Sequence, residues 1–220
     1  MRNKKLRVAA YGIPILVLVV IALLYGKMPE QIPTHWDVDG TVSYGGKAEI
    51  WMVGGMGLLF AVLMDVVPRI DPRRRNYEKF GRYYDGFCLG MQVFMAAMSG
   101  MILSESFFPG RISVGRVTAG LLGILFVGIG NVMPKFKSNF YMGIKTPWTL
   151  SSDWIWHKTP RLGGKLFVAA GAVTVLAAVF LPLQPAFYVC LASLAAAGTI
   201  PSICSYLWWR GENGSKGFTK

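Results

Sequence analysis

The fold class that this sequence predicts is all-α, a polytopic membrane bundle of six transmembrane helices. Hydrophobic residues make up 53% of its 220 residues and charged residues only 15%, whereas a soluble domain carries about 25% charge. The apolar residues are grouped into six long blocks, and the first, 8–26, is long enough as a helix to cross a hydrocarbon core of about 30 Å. The cations lie between these blocks in short runs, which is typical of loops at a membrane surface.

The distribution of cations predicts the orientation. Counted from the N-terminus, the first, third, fifth and seventh polar segments hold 19 of the 23 Lys and Arg residues. Because cytoplasmic loops of membrane proteins are rich in Lys and Arg, both termini are predicted to be cytoplasmic. A net charge of +12 could also indicate nucleic-acid binding, but the cations form no single patch on a soluble domain. We therefore expect membrane lipids as partners and no direct contact with nucleic acid.

The blocks define the predicted helices and the divisions of one integral membrane domain, 1–220. The six blocks are 8–26, 50–67, 83–107, 117–133, 166–181 and 186–207. The divisions are helices 1–2 with an outer loop at 1–67, helices 3–4 at 68–133, a cytoplasmic loop at 134–165, and helices 5–6 with a polar tail at 166–220. Inside the blocks, hydrogen bonds between helices are expected of Gln92 and Asn131, and glycines are expected to permit close helix packing.

The outer loop contains the sequence IPTHWDVDG at 32–40. Residues that precede proline favour extended backbone, and the Asp-Val-Asp-Gly sequence is a turn signal. His35, Asp37 and Asp39 alternate with other residues, so in a strand they would share one face and could ligate a divalent metal. The alternative is a capped turn beside an interfacial pair, His35 and Trp36. No other cofactor is predicted.

The cytoplasmic loop, 134–165, combines cations with tryptophans, as segments at a membrane surface do. Ser151 or Ser152 followed by Asp153 predicts the start of a helix. We expect a short interfacial helix here, between transmembrane helices 4 and 5, which Pro160 ends or kinks.

Three stretches of the chain resemble the SdpI family of bacterial membrane proteins. One runs from Gly130-Asn131 to Gly164 and includes the sequence GIKTPWTLSS at 143–152, which is highly specific. A second, DPRRRNYEKF at 71–80, is similar to relatives, and IPTHWDVDG resembles a domain of unknown function often found in the same proteins. The resemblance implies a multi-pass protein of the bacterial cell membrane that gives resistance to a secreted peptide toxin, met on the outer face. It also implies recruitment of a cytosolic repressor protein on the inner face.

Anchoring in a membrane does not require this order of residues, so we place the candidate partner-binding residues in the cytoplasmic stretch. They are Asn131, Lys135, Lys145, Thr146, Pro147, Trp148, Thr149, Ser152, Trp156 and Arg161. The second candidate region is the outer loop, with His35, Trp36, Asp37 and Asp39.

Two other functions remain open at the level of sequence. The first is a metal-dependent enzyme that uses His35, Asp37 and Asp39 at the outer face. Against it, the H-E-x-x-H, G-x-S-x-G and phosphate-loop signatures of enzymes are absent, so no catalytic residue is assigned. The second is a small-molecule transporter, which usually needs more ionisable groups inside the apolar blocks than this chain has.

Overall fold

The computed structural model describes residues 2–216 and confirms the predicted fold class. Within this range, six helices are long and apolar enough to cross a membrane. The elements in chain order are α1 (Lys4–Tyr25), β1 (Gln31–Trp36), β2 (Val42–Gly46), α2 (Glu49–Ile70), α3 (Tyr77–Phe107), α4 (Val114–Val132), α5 (Pro147–Ser151), α6 (Asp153–Phe180) and α7 (Leu183–Lys216). Short 3-10 turns lie at Arg74–Asn76 and Met133–Lys135. The last residues of the predicted tail, 217–220, lie outside the described residues.

The helices form two groups that meet between α3 and α4. In the first group α1, α2 and α3 pack against one another, and in the second α6 packs against both α4 and α7. We call these groups the amino-terminal half and the carboxyl-terminal half.

The cation-rich segments contact one another at one end of the bundle. Arg2 reaches Asp85 in the third turn of α3, and Arg73 reaches Ser138 in the loop after α4. In the last third of α7, the hydroxyl of Ser205 lies 2.9 Å from the hydroxyl of Thr146. Because this end collects the Lys and Arg residues, the positive-inside rule assigns it to the cytoplasm.

The predicted outer loop folds as a β-hairpin at the opposite end, a feature that an all-α prediction omits. Strands β1 and β2 pair antiparallel, with an irregularity between Pro33 and His35. Ile32 is almost fully buried in a cluster with Ile102 and Leu103 of α3. Burial of this strand against α3 favours the extended geometry that the prolines already prefer.

The short helix between the fourth and fifth membrane-spanning helices is α5. It ends at Ser151, where the predicted interfacial helix was expected to begin. The residues after Ser152 belong instead to α6, which continues through Pro160 to Phe180. The expected helix end at Pro160 is therefore wrong, although Ser152 caps α6 as expected. Proline removes only one backbone donor, and a helix packed against neighbours inside a membrane tolerates that loss. Pro160 is buried in this packing.

Helices α4 and α6 approach so closely that two pairs of glycines face each other. A Cβ atom on Gly130 would lie 2.6 Å from the carbonyl oxygen of Gly164, and one on Gly123 would lie 2.8 Å from that of Gly171. The two glycines of α4 are seven residues apart, and so are the two glycines of α6. The earlier glycine of one helix faces the later glycine of the other, as expected for two antiparallel helices. The expected use of glycine in packing is thus confirmed for these positions, whereas Gly120 and Gly128 face open space.

Candidate functional site

Two of the stretches singled out in the sequence, 71–80 and 130–164, meet at the cytoplasmic end. We call their contact the cytoplasmic junction, and define it as residues 71–80 with residues 136–156. Its first anchor is Asp71, which is only 2% exposed. The carboxylate of Asp71 accepts hydrogen bonds from the Tyr77 hydroxyl at 3.0 Å and from the Phe140 backbone N–H at 2.9 Å. One buried carboxylate therefore joins the start of α3 to the loop that follows α4.

Asn139 is the second anchor, and it is fully buried. Its side-chain oxygen accepts from the backbone N–H groups of Tyr141, at 2.9 Å, and Met142, at 2.6 Å. Its amide donates to the carbonyl of Lys137 at 2.8 Å. These bonds close the loop on itself, and the backbone then turns at Gly143, whose φ of +93° favours glycine.

Arg73 is the third anchor. Its guanidinium donates to the hydroxyl of Ser138 and, at 2.8 Å, to the carbonyl oxygen of Leu150. It also lies over the ring of Phe140, 5.3 Å from the centroid. Sequence reasoning did not assign Asp71, Asn139 or Arg73 to a site. An Asp before Pro and an Asn inside a short polar turn are signals that could have identified the first two.

Most of the candidate residues in the GIKTPWTLSS stretch stabilise α5. Thr146 and Thr149 form a reciprocal capping box, with Pro147 in the first turn of the helix. Thr149 is 1% exposed. Trp148 packs against Tyr206 of α7 with ring centroids 5.0 Å apart. The specific order of these residues is therefore explained by a helix that is capped at its first residue and packed against α7.

Ser152 and Trp156 are also internal contacts. The hydroxyl of Ser152 accepts from the backbone N–H of Ile155 at 3.4 Å and lies 3.1 Å from the carboxylate of Glu212. Trp156 is 5% exposed, and its indole N–H donates to the carbonyl of Phe136 at 3.1 Å.

The remaining cytoplasmic candidates are exposed. Lys145 donates to the carbonyl of Tyr141 at 2.7 Å, Lys135 lies 6.0 Å from the ring of Tyr83, and the side chain of Arg161 faces outward. These side chains remain accessible to a partner, whereas Thr149 and Trp156 are buried.

The hydrogen bonds expected between helices form at one of the two positions. Gln92 is 1% exposed and donates to the carbonyl of Gly57 in α2 at 2.9 Å, as expected. Asn131 instead donates to the carbonyl of Val127 in its own helix, so the expectation for Asn131 is wrong. Asn131 is exposed, so within residues 2–216 no neighbouring helix covers its side chain, and the amide bonds to a carbonyl of its own helix instead.

The outer-loop candidates do not converge on one point. His35 Nε2 lies 3.4 Å from Asp37 Oδ1, but Asp39 turns away and accepts from the backbone N–H of Thr41 at 2.9 Å. The Thr41 hydrogen bond lowers the pKa of Asp39 below its usual range. Across residues 2–216 no three His, Cys, Asp or Glu side chains are placed to share a metal ion. The strand ends at Trp36, so alternate residues beyond it no longer share a face, and the capped turn is the geometry observed.

Comparison with known proteins gives matches for two separate parts of the sequence. Residues 135–205 match the SdpI/YfhL protein family, and residues 12–58 match a domain of unknown function, DUF1648. The chain is 21% identical over 194 residues to the immunity protein SdpI of Bacillus subtilis (strain 168), an alignment that covers 88% of this chain and 91% of that protein. No solved structure matches. The resemblance drawn from the sequence is thus confirmed: this is a multi-pass bacterial membrane protein whose residues 135–205 match the SdpI/YfhL protein family.

Proposed function

We propose that this protein is an immunity protein of the bacterial cell membrane that protects the cell from a secreted peptide toxin. The observation that carries the proposal is the alignment to the immunity protein SdpI, because it extends over 88% of this chain and is not confined to one motif. The matched region 12–58 includes the β-hairpin, and the matched region 135–205 includes most of the cytoplasmic junction.

The toxin contact in this proposal is the exposed surface of the outer hairpin. The side chains of His35 and Asp37 are 69% and 56% exposed, and Tyr44 on the paired strand is 54% exposed. Trp36, next to the turn of the hairpin, packs against a buried cluster that includes Ile102 and Leu103 of α3. An aromatic and acidic surface on a short hairpin can offer both apolar and polar contacts to a peptide.

The inner face is the surface proposed for a cytosolic repressor, through the exposed cations Lys145 and Arg161. Helix α3 links the two faces. Its outer end packs Ile102 against Ile32 of the hairpin, and its inner end places Tyr77 against Asp71 of the junction. If α3 can take two positions, a toxin that binds one of them more tightly would shift the protein toward that position. The size of the shift is set by the difference in affinity, and the junction would change with α3.

A toxin-challenge assay tests the proposal. The protein is expressed in a sensitive Gram-positive host, an SDP-type peptide toxin is added, and survival is compared at matched membrane levels. We expect protection by the wild type and its loss in His35→Ala/Asp37→Ala. Arg111→Ala, in the outer loop between α3 and α4, is the control and should still protect. Absence of protection by the wild type would contradict the immunity function.

The repressor contact is tested in the same cells with a fluorescently tagged copy of the cytosolic repressor. We expect toxin to move the repressor to the membrane in the wild type. Lys145→Ala/Arg161→Ala should lose this recruitment and keep protection. Equal recruitment in the variant would place the repressor contact elsewhere.

A further inference from the structure

We propose that a cleft beside the cytoplasmic junction binds a phosphate group, supplied by the headgroup of an anionic lipid. The cleft has a volume of about 230 Å³ and lies between the start of α3, the loop after α4 and the first turn of α6. This site goes beyond the proposed immunity function, because it requires neither toxin nor repressor.

The wall of the cleft is fixed by the packing of α6. Phe136 and Trp156 both line it, and both are buried. The hydrogen bond from the Trp156 indole to the Phe136 carbonyl holds the loop against α6 at 3.1 Å. A cleft with a fixed wall loses little conformational entropy when it binds a ligand.

Two lysines give the cleft its charge. Lys79 from α3 and Lys137 from the loop both line it, and both are exposed. Within residues 2–216 neither lysine has an ion pair, whereas Arg2, Arg7 and Arg69 all pair with Asp65. The one carboxylate among the lining residues is Asp153, and His157 adds a further nitrogen donor or acceptor beside it. Two cations without a carboxylate partner, facing one cleft, favour an anion.

The polar groups of the cleft are already oriented. Asn76 donates to the backbone carbonyl of Ser138 at 2.7 Å, and Arg73 donates to the Ser138 hydroxyl. Because that hydroxyl oxygen accepts from Arg73, its own hydrogen is free to donate to a ligand. Lysine ammonium groups and a hydroxyl donor suit phosphate oxygens, which accept hydrogen bonds and carry the negative charge.

The exposed aromatic surface at this end of the bundle favours a lipid as the source of the phosphate. Aromatic side chains are exposed at the same end of the bundle, with Tyr83 44%, Phe140 41% and Trp154 48% exposed. Exposed rings of this kind lie at the level of lipid headgroups. The inner leaflet supplies anionic headgroups there, within reach of the two lysines.

Thermal unfolding of the detergent-solubilised protein tests the site with three probes: dioctanoyl phosphatidylglycerol, dioctanoylglycerol and inorganic phosphate. At about a hundredfold excess over its Kd, the phosphatidylglycerol should raise the Tm of the wild type by about 5 °C. Dioctanoylglycerol, which has the same acyl chains and no phosphate, should leave the Tm unchanged. An equal rise with inorganic phosphate would support the phosphate site and overturn its assignment to a lipid.

Charge-matched variants separate the cleft from general attraction to the basic face. Lys79→Gln/Lys137→Gln should lose the rise in Tm. Lys5→Gln/Lys165→Gln removes the same charge from exposed positions outside the cleft and should keep it. Lys79→Arg/Lys137→Arg should also keep most of it, which shows that the fold tolerates changes at these positions. An equal response in the first two double variants would overturn the proposal.

Discussion

In the amino-terminal half, charged side chains tie α1 to its neighbours, whereas in the carboxyl-terminal half α4 and α6 meet where both helices lack side chains. Asp65 of α2 contacts Arg2, at 2.9 Å, and Arg7, at 2.7 Å, and Arg2 also contacts Asp85 of α3. In the other half, each glycine of the pairs 123/171 and 130/164 leaves room for the opposing backbone.

The difference shows two ways of holding helices together where burial in lipid gives no hydrophobic driving force. Charged groups are directional and position a chain segment such as the N-terminus, but each buried charge depends on its partner. Glycine contacts depend on shape alone, so they are insensitive to charge and intolerant of any added side chain. The two halves should therefore fail under different substitutions.

Alanine at a facing glycine should have the largest effect. Gly130→Ala places a Cβ atom 2.6 Å from the backbone oxygen of Gly164, and backbone atoms cannot rotate away. We expect a loss of about 3 kcal/mol in the free energy of unfolding, measured by thermal or denaturant unfolding in detergent. Gly128→Ala in the same helix meets nothing within 4 Å and is the control. Equal stability of the two variants would contradict close packing of α4 on α6.

Removal of a charge from the amino-terminal half should come next. Asp85 has a fully buried side chain that accepts from Arg2 Nε at 2.9 Å and from the backbone N–H of Asn3 at 2.5 Å. Asp85→Asn should cost about 2 kcal/mol, less than for a fully buried pair, because the side chain of Arg2 is 24% exposed and regains water. Asp153→Asn removes an exposed carboxylate and is the control in the same unfolding measurement.

A smaller effect should distinguish the two polar residues inside the helices. Gln92→Leu removes the hydrogen bond to Gly57 and should cost about 1 kcal/mol. Asn131→Leu removes only a bond within its own helix and should change stability by less than about 0.5 kcal/mol. If unfolding shows the reverse order, hydrogen bonding between helices does not contribute to the amino-terminal half.

The six helices could be predicted because a segment in lipid must satisfy its own backbone hydrogen bonds, which makes apolar length a strong signal. The contacts between helices could not be predicted in this way. Gly120, Gly123, Gly128 and Gly130 are equivalent in sequence, and only the position of α6 decides which two of them are packed. The hairpin could not be predicted for the same reason, because Ile32 is buried by residues of α3 that lie about 70 positions later in the sequence.

In the cytoplasmic stretch the sequence predicts a helix cap at Ser151 or Ser152, and the residue order around Thr146 is interpreted as partner binding. The capping box requires threonine-like side chains at positions 146 and 149, so the helix itself explains this residue order without a ligand. The local signals at Asp71 and Asn139 could mark these two anchors, but the contact of Asp71 with Phe140 lies 69 positions away and is not revealed by a local pattern.

The smallest expected effect concerns a carboxylate at the surface, and it tests whether charge also orders the hairpin of the amino-terminal half. The backbone N–H of Thr41 donates to Asp39 and holds the pKa of that carboxylate below its ordinary value of 3.8. A group with a lowered folded pKa stabilises the fold above its unfolded pKa, and that contribution is lost as pH falls through the folded value. We therefore expect Trp36 fluorescence to report a loosening of the turn as pH falls below about 3.8, the usual Asp value. Asp39→Asn, whose amide oxygen still accepts from Thr41 and does not titrate, should remove this transition. A transition that persists in the variant would assign the pH dependence to another group.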